Sequence, residues 1–365
     1  PGGLPATTVV ATAAFSGVSG SSAADIATFG RISVEAMERK GYDKAYASAV
    51  IAAAGTFAVL IPPSVIVVLY AIVAEVSIGA MIMAGVVPGV ISAGVLMFFV
   101  VFNALRGRRS GNVGISGGGS QEFLPSVEQA MSSGMSRTQV KSEVRQDVTA
   151  VFYAGILFLV VVGGLYGGVF TATEAAAVGA FVALVIALIA RRSQDINFRQ
   201  LMYRALTETA DVTSMIFFLL IGGAIFSFML AVSGVPRELS NWVTALDVPP
   251  KVVIAAMLLL LLPLGAILDG LSLLLLTVPI MAPVAAELGF DGVWFGVLVL
   301  KVIEVGLITP PVGINCFIIS GIVKLPVERV FKALIPFVIL DLVVTALFFT
   351  FPDLVLWLPR VAGLI

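Results

Sequence analysis

The sequence predicts an all-α polytopic membrane protein with an inverted-repeat ion-transporter fold. Each repeat holds one re-entrant helical hairpin and one helix broken at a Pro-Pro pair. Three observations predict this. Of 365 residues, 59% are hydrophobic, another 36 are glycine and 12% are charged. That is about half the charge of a soluble domain, so a water-soluble globule and a disordered chain are both excluded. Two apolar runs are interrupted by Pro62-Pro63 and Pro310-Pro311. The two pairs lie 248 positions apart, and other features recur at that offset.

The residue inventory narrows the chemistry. There is no histidine, which removes His-based metal sites, His general bases and Ser-His triads. The single cysteine, Cys316, sits in an apolar stretch and reads as a small core hydrophobe. A net charge of -1 carries no nucleic-acid footprint. Carboxylates, hydroxyls, amides and backbone carbonyls remain, a set suited to a carrier rather than an enzyme.

Apolar runs near 45–76, 78–103, 148–169, 173–190, 211–233, 293–323 and 328–350 are each long enough to cross a bilayer, which takes about 20 residues. The runs near 6–38 and 251–287 carry small or polar residues in mid-run, Ser19-Gly20-Ser21-Ser22 and Asp269-Gly270. Each reads as two half-length helices that enter the membrane and turn back, since non-helical backbone at that depth must be buried in protein or line a cavity. A Pro-Pro pair removes two amide donors and blocks the preceding carbonyls. With Thr309, Gly313 and Asn315 beside the second pair, an unwound segment is expected rather than a kink.

At the 248-residue offset, Gly41-Tyr42-Asp43 aligns with Gly289-Phe290-Asp291, Tyr46 with Trp294, Pro88 with Pro336, and Ser21-Ser22 with Asp269-Gly270. The chain therefore contains two copies of one unit. Basic residues cluster at Arg31, Arg39, Lys40 and Lys44, at Arg106, Arg108 and Arg109, and at Arg191 and Arg192. The positive-inside rule makes those loops cytoplasmic. Counting crossings puts 234–250 and 286–292 outside, so the two hairpins enter from opposite sides. The expected organisation is a first repeat at 1–104, a cytoplasmic Gly/Ser-rich loop at 105–147 and a helix pair at 148–192. An amphipathic cytoplasmic segment at 193–210, the second repeat at 211–350 and a periplasmic tail at 351–365 complete it. The second hairpin is preceded by a span at 211–233, while the first begins almost at residue 1, so one or more membrane helices are expected upstream.

Inverted repeats of this kind are built around a midplane site. The first tip offers Ser19, Ser21, Ser22 and, one turn on, Asp25; the first break offers Gly55, Thr56 and Ser64. The second tip offers Asp269 and Ser272; the second break offers Thr309, Gly313 and Asn315. Hydroxyls and unwound carbonyls are hard ligands for Na⁺, and half-helix N-termini favour an anionic substrate. Small-residue packing is the simpler account of the serines, but two matching tips favour ligands. Asp269 is stronger, because ionisable residues inside a membrane are functional by default. Lys301 and Glu304, three apart on one helix, are expected to pair with each other. Glu174 is accounted for by capping from Thr171 or Thr173 and by the helix dipole.

Four stretches, Ser19 to Asp25 (SGSSAAD), Gly55 to Ser64 (GTFAVLIPPS), Thr171 to Ala177 (TATEAAA) and Gly306 to Asn315 (GLITPPVGIN), resemble the large membrane subunit of TRAP transporters, the tripartite ATP-independent periplasmic carriers. The likeness runs through almost the whole chain, though the family's first helices are absent and the Gly/Ser-rich loop is longer than usual. The resemblance implies a Na⁺-driven importer of organic acids such as C4-dicarboxylates or sialic acid, in a bacterial or archaeal cytoplasmic membrane. It implies a periplasmic substrate-binding protein and a small four-helix membrane subunit as partners, and an elevator motion of hairpins and broken helices. Carried over by position, Na⁺ would be held by Ser19, Ser21, Ser22, Gly55 and Thr56 in one half. In the other half it would be held by Asp269, Gly306, Thr309, Gly313 and Asn315. Ser22, Ser64 and Asp269 would face the substrate.

Divalent-anion sodium symporters share the inverted design without a binding protein, but the GLITPPVG and TATEAAA blocks weigh against them. A channel would need a continuous polar path, and a membrane enzyme a Ser-Lys or Asp-Asp pair that the sequence does not offer.

Overall fold

A computed structural model of the chain describes residues 3–62, 64–110, 197–235, 237–239, 241 and 248–365, together with most of 153–194. Its regular elements are helices. The first group is α1 (Gly3–Ser19), α2 (Ser22–Arg39), α3 (Lys44–Gly55), α4 (Val65–Val73) and α5 (Ile78–Ser110). Then come α6 (Ala172–Gln194) and α7 (Phe198–Ser233). The last group is α8 (Pro250–Gly265), α9 (Gly270–Glu287), α10 (Gly292–Leu307), α11 (Ile314–Val323), α12 (Val327–Thr350) and α13 (Asp353–Val361). Segments Ile78–Arg106, Phe198–Ser233, Gly270–Glu287 and Val327–Thr350 are long and apolar enough to cross a bilayer. Large apolar side chains face outward on α7, among them Phe217, Phe218 and Phe228. Water would not tolerate that surface; the fold is that of a polytopic membrane protein.

The offset read in the sequence recurs in the helices. Both ends of α9 lie 248 residues beyond those of α2. The turn before α3 and the turn before α10 are closed alike, by glycines in the left-handed region, Gly41 at φ 82° and Gly289 at φ 81°. An aspartate then caps each helix: Asp43 accepts from the Tyr46 amide (3.0 Å), and Asp291 accepts from those of Val293 (2.8 Å) and Trp294 (3.1 Å). Aligned aromatic pairs stack, Tyr42 on Tyr46 with centroids 6.3 Å apart and Phe290 on Trp294 at 5.2 Å.

Both Pro-Pro runs break their helices. α3 tightens into a 3-10 turn over Thr56–Val59 and resumes as α4 only after Ser64. α10 stops at Leu307, passes Pro310 and Pro311, and resumes at Ile314 after Gly313 at φ 50°. Pro62 lies in the first break; Pro63 is outside the described residues.

Packing between the halves is reciprocal. α4 packs on α9, as α11 packs on α2; α5 packs on α10, as α12 packs on α3. Two apolar cores result. One joins α8, α9 and α10 to α4 and to Ala80, Met81 and Ala84 of α5; the other joins α1, α2 and α3 to α11 and to Leu334 and Phe337 of α12. Along α5 the contacts change hands. Near its start, a Cβ on Gly292 would lie 2.8 Å from Val76. Toward its end, Phe99 and Tyr46 both pack on Phe337, with centroids at 5.3 and 6.1 Å.

Several boundaries differ from expectation. The hairpin arms hold 16 to 18 residues each, or about 24–27 Å at 1.5 Å per residue, and so exceed half-length helices. Residues 198–210 are continuous with the following span, because α7 (Phe198–Ser233) runs through both. The tail contains α13, whose Val355, Leu356 and Pro359 are buried, and which packs on α5. The closing helix of the first repeat, α5, extends to Ser110. Most of the Gly/Ser-rich loop, residues 111–147, lies outside the described residues, as do parts of the run 148–169.

A candidate ion and substrate site at the helix breaks

At the first tip, Gly20 takes a left-handed turn (φ 59°) and Ser21 caps α2, accepting from the Ala24 amide. Asp25 is fully buried, and its carboxylate accepts from the hydroxyls of Ser16 and Ser19. Its partners there are hydroxyls, not a basic side chain. The tip rests against the end of α3. A Cβ on Gly55 would lie 2.7 Å from Ile26 and 3.4 Å from the Ser22 carbonyl, so only glycine permits that approach. Ser22 and Gly55 are thus adjacent. Thr56 is buried and donates to the Ala53 carbonyl (2.8 Å); Ser64, also buried, donates to that of Val59 (2.9 Å).

The second tip is built on closer backbone contact. A Cβ on Gly306 would meet backbone atoms of Gly265 at 2.6–2.8 Å, so α8 and α10 cross where neither carries a side chain. The amides of Val312 and Gly313 both donate to the Ala266 carbonyl, at 3.1 and 3.2 Å. That ties the unwound segment directly to the hairpin. Thr309 donates to Val305 (2.5 Å). Asp269 caps α9, accepting from the amides of Leu271 (3.0 Å) and Ser272 (3.1 Å). Its carboxylate is exposed, so the residue has a structural task that the sequence did not reveal.

The halves meet at two further points. Asn315 is fully buried, donates from Nδ2 to the Ala52 carbonyl (3.4 Å), and has no partner for Oδ1. A Cβ on Gly270, beside Asp269, would lie 3.2 Å from Ile66, two residues past Ser64. Between the breaks lies a cavity of about 20 Å³, lined in part by Thr56, Ser92, Ile308 and Asp341, with room for one water molecule. Gly55 and Ser22 in one half, and Gly306, Gly313 and the Ala266 carbonyl in the other, are therefore brought together as two clusters. Asn315 bridges them, and the hydroxyls of Ser21 and Ser64 point to local backbone partners.

Residues 1–354 match the family described as "Tripartite ATP-independent periplasmic transporter, DctM component". This chain belongs to the DctM family. It is similar to the C4-dicarboxylate TRAP transporter large permease protein DctM of Pseudomonas aeruginosa, 31% identical over 363 residues, covering 100% of this chain and 79% of the relative. The protein of the same description from Rhodobacter capsulatus is 33% identical over 380 residues, covering 100% of this chain and 80% of the relative. The sialic acid TRAP transporter large permease protein SiaM of Vibrio cholerae is 29% identical over 359 residues, covering 98% of this chain and 78% of the relative. As a DctM-family chain it is a transporter component and not an enzyme, as the residue inventory had suggested.

The Glu174 motif of this DctM-family chain is a reciprocal cap. Glu174 Oε2 accepts from both the amide and the hydroxyl of Thr171, at 2.9 Å each, while Thr171 Oγ1 accepts from the Glu174 amide at 3.3 Å. Lys301 and Glu304 do pair, fully inside the protein. Two members of that group were missed: Asp341 of α12, which also pairs with Lys301, and Ser92 of α5, which accepts from Lys301 Nζ at 3.2 Å. The signal was present, since Asp341 interrupts an apolar run and intramembrane carboxylates are costly. Ser16, three turns into the first hairpin, carried no signal until folding set it against Asp25.

Proposed function

We propose that the chain is the large permease subunit of a Na⁺-coupled secondary transporter importing organic acids. The substrate class is C4-dicarboxylates, sialic acid or similar carboxylates, delivered by a periplasmic substrate-binding protein. A small four-helix membrane subunit completes the complex in the cytoplasmic membrane of a bacterium or archaeon. The observation that carries this reading is the pair of interrupted helices, Gly55–Ser64 and Gly306–Asn315, each seated against its own hairpin tip in a DctM-family chain.

The contacts along α5 support an inverted arrangement. The turn after hairpin 2 touches the start of α5 through Val76, while the turn after hairpin 1 shares Phe337 with Phe99. Those levels are separated by about 30 Å of helix, the thickness of the hydrocarbon core. Hairpins opening at opposite ends of one spanning helix enter from opposite faces. Their arms, longer than half the core, then project from the membrane at the open ends. The charged end of α2, with Arg31, Glu35, Glu38 and Arg39 in surface ion pairs, suits that position. Na⁺ is taken by hydroxyls and carbonyls of Ser19, Ser21, Ser22, Gly55 and Thr56, and of Thr309, Gly313 and Asn315 with Gly306 and Asp269. The orphaned Asn315 Oδ1 favours a ligand on that side. Ser22, Ser64 and Asp269 face the acid, and hairpins and broken helices move as one block.

The test is uptake in proteoliposomes holding the complete membrane complex, with and without a Na⁺ gradient and with and without the cognate binding protein. Uptake that requires both is expected. Uptake that requires sodium alone would replace this reading with a stand-alone divalent-anion symporter.

A further inference from the structure

Asp25 lies outside the ten residues assigned to Na⁺, yet it is fully buried in the first hairpin, in the first turn of α2. Its carboxyl group reaches back to the end of α1, where Ser16 and Ser19 sit three residues apart and so on one face. Packing alone does not ask for a carboxyl here. At the 248-residue offset, which both ends of α2 and α9 obey, the position of Asp25 is filled by Leu273, equally buried. The Ser19 hydroxyl has one hydrogen, which goes to Asp25 Oδ1, and two lone pairs, one of which takes the Ser21 amide at 3.3 Å. One lone pair of Ser19 remains. Ser16 Oγ lies 2.8 Å from the Thr12 carbonyl and also meets Asp25 Oδ2. An ionised Asp25 draws the Ser16 hydrogen to Oδ2; a protonated one donates from Oδ2 to Ser16, whose hydrogen turns to Thr12. Oδ1 accepts from Ser19 in either state.

We propose that Asp25 is a positioning residue of the tip sodium site: it takes the only hydrogen of Ser19 and leaves the Ser19 oxygen as a lone-pair donor to Na⁺. Without that acceptor the hydroxyl has another. Thr7 and Thr8 of α1 give their hydrogens to carbonyls four residues back, at 2.8 and 2.9 Å. Ser19, once released, does the same, and its oxygen turns away from the tip. Ser19 is only half-buried, so an ion can reach it, while Asp25 is closed off behind it and acts through Ser19 without touching the ion. This deepens the coupling-ion reading given above and rests on it, since that reading makes Ser19 a ligand.

The test is equilibrium binding of radioactive sodium to the purified membrane complex, with melting temperature read on the same samples. Asp25→Ala and Ser19→Ala are each expected to weaken one ion by about tenfold. Combined, they are expected to weaken it no further than either alone, because one residue acts through the other. Asp25→Asn offers its amide oxygen to Ser19 and its amide hydrogens to Ser16, and is expected to restore near-wild-type affinity. Losses that add in the double variant would overturn the proposal, since a merely structural Asp25 acts whether or not Ser19 is present. So would Asp25→Asn binding as weakly as Asp25→Ala, which would make charge or direct coordination the role of the residue. If Asp25→Ala does not fold, Asp25→Asn binding as weakly as Ser19→Ala overturns the proposal alone. Weak binding in Ser19→Ala with wild-type affinity in Asp25→Ala would sink the positioning role and leave the tip assignment standing. Wild-type affinity in Ser19→Ala would sink Ser19 as a ligand and Asp25 with it. A wild-type complex that binds no sodium overturns the coupling-ion reading and this one together.

Discussion

Gly306 and Gly321 sit on neighbouring helices, yet their surroundings assign them opposite roles. A side chain on Gly306 collides with the Gly265 backbone, whereas a Cβ on Gly321 meets nothing within 4 Å. Gly306→Ala should therefore destabilise the protein by roughly 1–3 kcal/mol or more. Gly321→Ala should be neutral or gain up to about 1 kcal/mol from helix propensity. Thermal unfolding of the detergent-solubilised protein checks both, and equal melting temperatures would refute the close crossing. Asp269 caps α9, and in the proposed site it also supplies a charge. Asp269→Asn preserves capping but not charge, so it should melt within about 1 kcal/mol of wild type while losing sodium-dependent uptake. Ser22→Ala should weaken the same dependence. Wild-type sodium affinity in both would refute the tip assignment.

For an element, the ends matter more than the middle. An apolar run has no preferred start, so α3 and α10 take their starts from Asp43 and Asp291, each preceded by a left-handed glycine turn. Asp43→Ala and Asp291→Ala should each cost about 0.5–2 kcal/mol, read as lowered melting temperature. The breaks were legible for a related reason: proline withdraws a donor wherever it stands. The hairpin arms were not. Small residues at Ser19-Gly20-Ser21 mark a turn but say nothing of how far each arm extends beyond it. Nor does polarity at 198–210 mark an end, because α7 runs from Phe198 to Ser233 without a change of backbone.

Across the whole molecule, the reciprocal packing of α4 on α9 and α11 on α2 makes each core a joint product of both halves. The inverted arrangement proposed above predicts a labelling pattern. In a background with Cys316, which is buried, replaced by serine, a cysteine at Asp291 should react with an impermeant reagent from outside. One at Lys40 should react only from inside. Labelling of both from one face would rule out the inverted arrangement.

The sequence by itself determined the membrane class, the two breaks, the 248-residue offset and the motifs that mark the DctM family. Each of these depends on composition, proline chemistry or spacing, and all are written along the chain. Only the tertiary structure decided which polar groups share a space. Ser16 meets Asp25, Asn315 crosses to Ala52, and Asp341 joins Lys301 and Glu304 from a helix 40 residues away from the lysine. The physical reason is that a buried charge or amide is satisfied by whichever partners packing brings to it, and packing here joins residues that lie apart along the chain, Asn315 and Ala52 from opposite halves of it.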